Sequence, residues 1–123
     1  MNKKIYVVDD NEGIREALHE LLELLGYDSF LFQDGKDAMD SISSKVPDLI
    51  ISDLIMAQMD GKQLTEALKS NKDFNRIPII LLTAYPLEEA GFKDARFHPD
   101  LIMQKPYELD ELKKEVDRLL RAS

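Results

Sequence analysis

The sequence predicts an α/β domain of five βα units packed around a parallel sheet. Two patterns carry that expectation. Short apolar runs at residues 5–8, 49–51, 79–82 and 101–103 lack the alternation of a half-exposed sheet and suit strands covered on both faces. Between them lie stretches whose apolar residues recur at helical spacing. A chain of 123 residues, 44% hydrophobic and 33% charged, is long enough to bury one real core and has an ordinary globular composition. It is read as one domain over residues 1–123.

The first strand, residues 5–8, stops at Asp9-Asp10. Residues 12–25 then carry Ile14, Ala17, Leu18, Leu21, Leu22 and Leu25 at helical spacing, with Asn11 as N-cap and Gly26 as the stop. His19 lies one position off that stripe and reads as a boundary residue. Residues 27–33 form the second strand, Asp34-Gly35 the turn and cap, and residues 36–44 a short helix burying Ala38, Met39 and Ile42. Pro47-Asp48 breaks the pattern before a third strand that ends near Asp53. Residues 54–61 are a loop ending in Asp60-Gly61, and Leu64, Ala67 and Leu68 mark the next helix. Pro78 introduces the fourth strand, which stops at Thr83. Pro86 opens an expected fourth helix through Leu87, Ala90 and Phe92, interrupted by Gly91, and His98-Pro99 reads as loop. After the fifth strand, Lys105-Pro106 punctuates the chain, and residues 109–120 form the fifth helix, with Leu109, Leu112, Val116, Leu119 and Leu120 on one face.

Composition excludes several function classes. The net charge of −8 offers no basic surface for nucleic-acid phosphates, so direct nucleic-acid binding is not expected. Lys3-Lys4 and Lys113-Lys114 read as solvated surface. No apolar run approaches the roughly 20 residues that span a bilayer, and the N-terminus does not read as a secretory signal. Zero cysteines exclude disulfides and thiolate metal sites and fit a reducing, cytoplasmic location. With His19 and His98 the only histidines, an all-protein zinc site is not expected.

Open α/β sheets hold ligands in the crevice beyond the carboxyl ends of their strands. Asp9, Asp10, Asp53, Thr83 and Lys105 each fall at or just past such an end. Carboxylates gathered there repel one another unless a cation or raised pKa values relieve them, and a hard, oxygen-seeking ion such as Mg2+ suits the task. Each residue alone has a plainer reading. Asp9-Asp10 can cap a helix, a threonine after a strand usually bonds locally, and a lysine before proline is usually surface. The combination points to metal-assisted phosphoryl transfer.

In these residues the whole chain resembles the receiver domain of bacterial response regulators, of the single-domain chemotaxis or sporulation type. The resemblance rests on Asp9-Asp10 after Val7-Val8, Asp53 after Leu49-Ile50-Ile51-Ser52, Met59-Asp60-Gly61, Thr83-Ala84 and Lys105-Pro106, with spacings of 30 and 22 residues from Asp53 to Thr83 and from Thr83 to Lys105. It implies a doubly wound, flavodoxin-like parallel sheet of order 2-1-3-4-5 with five helices. It also implies Asp53 as phosphoacceptor, Asp10, Asp53 and the Ile55 carbonyl as direct Mg2+ ligands, and Asp9 acting through metal-bound water. Thr83 and Lys105 would contact the phosphoryl oxygens, and the Lys105-Pro106 bond would be cis. The implied donor is a sensor histidine kinase or histidine phosphotransfer protein. The implied reader is a downstream protein or an output domain in a longer parent chain. Such a domain catalyses its own phosphorylation and dephosphorylation but is primarily a switch.

Several positions depart from the family pattern. The switch position three residues before Lys105 is Ile102, which cannot make the aromatic ring rotation coupled to Thr83. Ala57 stands where a proline is common, and Phe97-His98-Pro99-Asp100 replaces a region of small residues. Ile55 and Tyr85 flank the route of the hydrolytic water without a carboxylate or amide to orient it, so a long-lived phosphoryl state is expected. Three other readings compete. An aspartyl phosphohydrolase would carry Asp-x-Asp and a cap domain. A flavin or dinucleotide carrier would need glycines where Asp9-Asp10-Asn11-Glu12-Gly13 stands. A binding module with dispensable phosphorylation is the third, which Ile102 leaves open.

Overall fold

The computed structural model describes residues 2–86 and 91–122. Five parallel strands, β1 (Lys4–Val8), β2 (Asp28–Phe32), β3 (Leu49–Asp53), β4 (Ile79–Thr83) and β5 (Leu101–Gln104), form one sheet of order β2-β1-β3-β4-β5. Parallel neighbours require crossovers, and helices supply those from β1 to β2, from β2 to β3 and from β3 to β4. α1 (Glu12–Leu24) and α4 (Leu109–Ala122) cover one face, where Leu18, Leu22, Leu112 and Val116 pack on Ile5, Val7, Ile51 and Ile80. α2 (Gly35–Ile42) and α3 (Gly61–Lys69) cover the other, where Ala38, Ile42, Leu64 and Leu68 pack on Tyr6, Ile50, Ile79 and Leu81.

The caps set where helices begin, and so how the loops at the carboxyl edge run. Asn11 accepts from the Ile14 N–H at 3.0 Å, and Asp34 from the Asp37 N–H at 3.0 Å. Asp60 and Gln63 form a reciprocal capping box, both bonds 2.9 Å. Gly26, at φ +91°, stops α1 as expected. Ala17, placed on the apolar stripe by its spacing, is exposed instead, because α1 leans its Leu18–Leu22 edge onto the sheet.

The expected count of five helices is corrected to four among the described residues. Of the anticipated helix from Pro86 through Leu87 and Ala90 to Phe92, residues 87–90 lie outside the described residues. The stretch that follows is not helical. Gly91 turns with φ +90°, Phe92 is buried against the α2/α3 layer, and residues 93–100 proceed by turns and bends to β5. One buried aromatic ring, Phe92, anchors the described part of this crossover.

Candidate functional site

Strand register brings the candidate residues to one edge. β1 and β3 pair directly, ending at Val8 beside Ser52, so Asp9 and Asp53 emerge as neighbours. Asp53 stands opposite Leu82, one residue before Thr83, and Thr83 opposite Gln104, one residue before Lys105. The carboxylates of Asp9, Asp10 and Asp53 each offer an oxygen within 4.8 Å of the others. Lys105 Nζ reaches Asp53 Oδ1 at 3.2 Å, and the Lys105-Pro106 bond is cis as expected.

The three acids differ in environment. Asp9 is only 2% exposed, Asp53 is partly buried and Asp10 faces solvent. Asp9 Oδ1 accepts the Asn11 N–H at 2.9 Å, whereas its buried Oδ2 has no hydrogen-bond partner. Burial chiefly, with the charges of Asp53 and Asp10, raises the Asp9 carboxyl above its ordinary range, against the lowering influence of the Asn11 N–H and Lys105. A buried oxygen left bare beside two further carboxylates fits a hard divalent cation with oxygen ligands, which matches Mg2+.

The loop after β3 is held close to the acids. The Gly61 N–H donates to the Leu54 carbonyl at 2.7 Å, and a Cβ at Gly61 would lie 2.8 Å from the Asp53 carbonyl oxygen. Only glycine permits that approach. Thr83 is buried, its Oγ1 accepting the Tyr85 N–H at 3.0 Å. Ile55 and Tyr85 are half-exposed. Ile102 stands apart from the acids, partly buried in the α2/α3 layer and opposite Leu81.

Two residues not singled out by the sequence belong to this edge. Arg15 Nη1 donates to the Asp9 carbonyl oxygen at 2.8 Å. The Tyr107 phenol is raised by burial first and then by the charges of Asp9 and Asp53. Neither carries a local sequence signal, since Arg15 serves a main-chain atom and Tyr107 follows a proline in a turn.

Residues 5–117 match the family described as the response regulator receiver domain. The chain belongs to this family. Response regulator MprA of Mycolicibacterium vanbaalenii is 36% identical over 121 residues, covering 98% of this chain and 52% of that protein. The alkaline phosphatase synthesis transcriptional regulatory protein PhoP of Bacillus subtilis is 36% identical over 123 residues, covering all of this chain and 50% of that one. The chain thus spans about half the length of the curated relatives it matches. Among solved structures, the signal receiver domain of a signal transduction histidine kinase from Syntrophus aciditrophicus superposes with a TM-score of 0.91 at 34% identity, covering 98% of this chain and 91% of that one. Response regulator protein TrrA from Thermotoga maritima, in complex with Mg(2+)-BeF, gives 0.83 at 33% identity, covering 95% and 98%. As a receiver domain, the chain accepts a phosphoryl group from a histidine kinase onto an aspartate, with Mg2+, and so switches its protein contacts. No helix among the described residues is long and apolar enough to cross a membrane.

Proposed function

We propose that Asp53 is the phosphoacceptor, that Asp10, Asp53 and the Ile55 carbonyl hold Mg2+ directly with Asp9 acting through water, and that Thr83 and Lys105 bind the phosphoryl oxygens. The observation that carries this reading is the position of Asp53, with Lys105 Nζ at 3.2 Å and the carboxylates of Asp9 and Asp10 gathered beside it. Bound there, Mg2+ neutralises charge on the transferring phosphoryl group. A carboxylate oxygen of Asp53 attacks the phosphorus of a phosphohistidine. The P–N bond breaks as the O–P bond forms, leaving the imidazole on the donor and an acyl phosphate on Asp53. Lys105 moves its charge from the Asp53 carboxylate to a phosphoryl oxygen, and the Thr83 hydroxyl donates to another. Water attacking in line then breaks the O–P bond, returning the carboxylate and releasing inorganic phosphate.

The donor is a sensor histidine kinase or histidine phosphotransfer protein, in the cytoplasm. The switched surface acts on a downstream protein, or on an output domain where the chain is part of a longer parent. Ile55 and Tyr85 screen the acceptor without orienting water, so the acyl phosphate is long-lived.

Intact mass after incubation with Mg2+ and a small acyl-phosphate donor tests this reading. One adduct of about 80 Da is expected, absent without Mg2+ and in Asp53→Asn. During a chase it should persist for minutes or longer. Decay within seconds overturns the lifetime, and no adduct beside a competent control receiver overturns the acceptor and favours a phosphorylation-independent binding module.

A further inference from the structure

Asp9 lies beyond the last paired residue of β1, and its main chain is held from both sides. Its N–H donates to the Phe32 carbonyl at 3.1 Å, and its carbonyl accepts Arg15 Nη1 at 2.8 Å. That carbonyl belongs to the peptide joining Asp9 to Asp10. Rotation of this peptide would swing Asp10 and shift the buried Asp9 carboxylate away from Asp53. Arg15 opposes the rotation by satisfying a carbonyl that the sheet no longer pairs. Its own backbone is fixed in the first turns of α1 by its N–H bond to the Asn11 carbonyl at 3.0 Å, and Asn11 in turn donates to Asp9 Oδ1. The result is a closed circuit of three bonds that leaves only Asp9 Oδ2 free.

We infer that Arg15 is a positioning residue for the metal site, locking the Asp9-Asp10 peptide so that both carboxylates present oxygens in the geometry Mg2+ demands; this rests on the assignment of Asp9, Asp10 and Asp53 to the metal. Electrostatics alone predicts the opposite effect of removing Arg15. A cation near three carboxylates weakens binding of another cation, so its loss by Coulomb's law tightens Mg2+ and Ca2+ alike. A positioning role predicts weaker Mg2+ binding, because Mg2+ requires near-ideal octahedral geometry whereas Ca2+ tolerates irregular coordination.

The test is titration of the full chain with MgCl2 and, separately, CaCl2. Tyrosine emission is the signal, usable because the chain has four tyrosines and no tryptophan; urea unfolding without metal serves as the stability control. Arg15→Met should raise the Mg2+ Kd about tenfold, as loss of a group supporting a metal ligand typically does, and the Ca2+ Kd distinctly less. Arg15→Lys, which keeps the charge and one donor, should fall between Arg15→Met and the parent and remains informative where the methionine variant does not fold. An unchanged or lower Mg2+ Kd in both variants, or equal losses for both ions, overturns the inference while Asp9→Asn still weakens binding. If Asp9→Asn and Asp53→Asn also leave the Kd unchanged, the metal-site assignment itself fails and takes this inference with it.

Discussion

Asp9 is buried, acidic and half satisfied, with Oδ1 bonded to the Asn11 N–H and Oδ2 bare. In the metal-free protein its ionised form is therefore a local cost. Its carboxyl is raised by burial above all, so the stability tied to it is fully present below the ordinary carboxylate range and lost as pH rises through the raised value. Asp9→Asn should remove that slope from urea unfolding measured between about pH 4 and 7. At neutral pH it should stabilise the metal-free protein by of order 1 kcal/mol while removing most of the stabilisation that Mg2+ gives the parent. Equal urea midpoints for the two metal-free proteins would contradict the account. Asp9, Asp10, Asp53, Thr83 and Lys105 are legible in the sequence because strand ends in an α/β sheet converge on one edge. Arg15 and the electrostatic reach of Tyr107 are not, because one acts on a carbonyl, which every residue possesses, and the other across space.

At the scale of elements, sequence pattern and structure part in the described residues just before β5. Leu87, Ala90 and Phe92 have helical spacing, yet beyond Gly91 the chain reaches β5 through turns. Of the three, only Phe92 is among the described residues, and one buried ring sets no helical period. Elsewhere the pattern serves well, since fully buried strands and capped helices leave strong periodic marks. What aligns the start of β5 after these turns is a polar clasp. Asp100 Oδ2 accepts the Ile79 N–H at 2.8 Å and Lys69 Nζ at 2.8 Å, and Lys69 also donates to the Ile77 carbonyl at 3.0 Å. The Lys69 side chain is only 14% exposed, so its charge matters more than that of a surface pair. Lys69→Met should cost about 2 kcal/mol in urea unfolding, through the Asp100 carboxylate and the Ile77 carbonyl left behind. Asp100→Asn, which retains an acceptor for the Ile79 N–H, should cost less. The reverse order would show that the clasp depends on the strand bond and not on the ion pair.

For the whole molecule, the question is how a phosphoryl group on Asp53, the acceptor proposed above, would reach a distant surface when Ile102, on β5, is aliphatic. The Thr83 hydroxyl presently accepts the Tyr85 N–H at 3.0 Å. If the Thr83 side chain rotates so that Oγ1 itself moves to a phosphoryl oxygen, the Tyr85 N–H loses its acceptor and the exposed Tyr85 segment must find a new arrangement. Ile102 sits opposite Leu81, within the packed α2/α3 layer, and has no ring to rotate into space that Thr83 vacates. The change should therefore be concentrated at Ala84 and Tyr85, directly after β4, with β5 remaining in register. Amide hydrogen exchange with Mg2+, before and after addition of an acyl-phosphate donor, tests this at residue resolution. The Tyr85 amide should lose protection on phosphorylation, while Ile102 and Met103 keep theirs. Thr83→Ala should show the exposed Tyr85 amide before any donor is added, because its acceptor is already gone. Altered protection at Ile102 and Met103 with Tyr85 unchanged would instead mean that β5 itself moves, and that an aliphatic side chain transmits the signal by translation where a ring would do so by rotation.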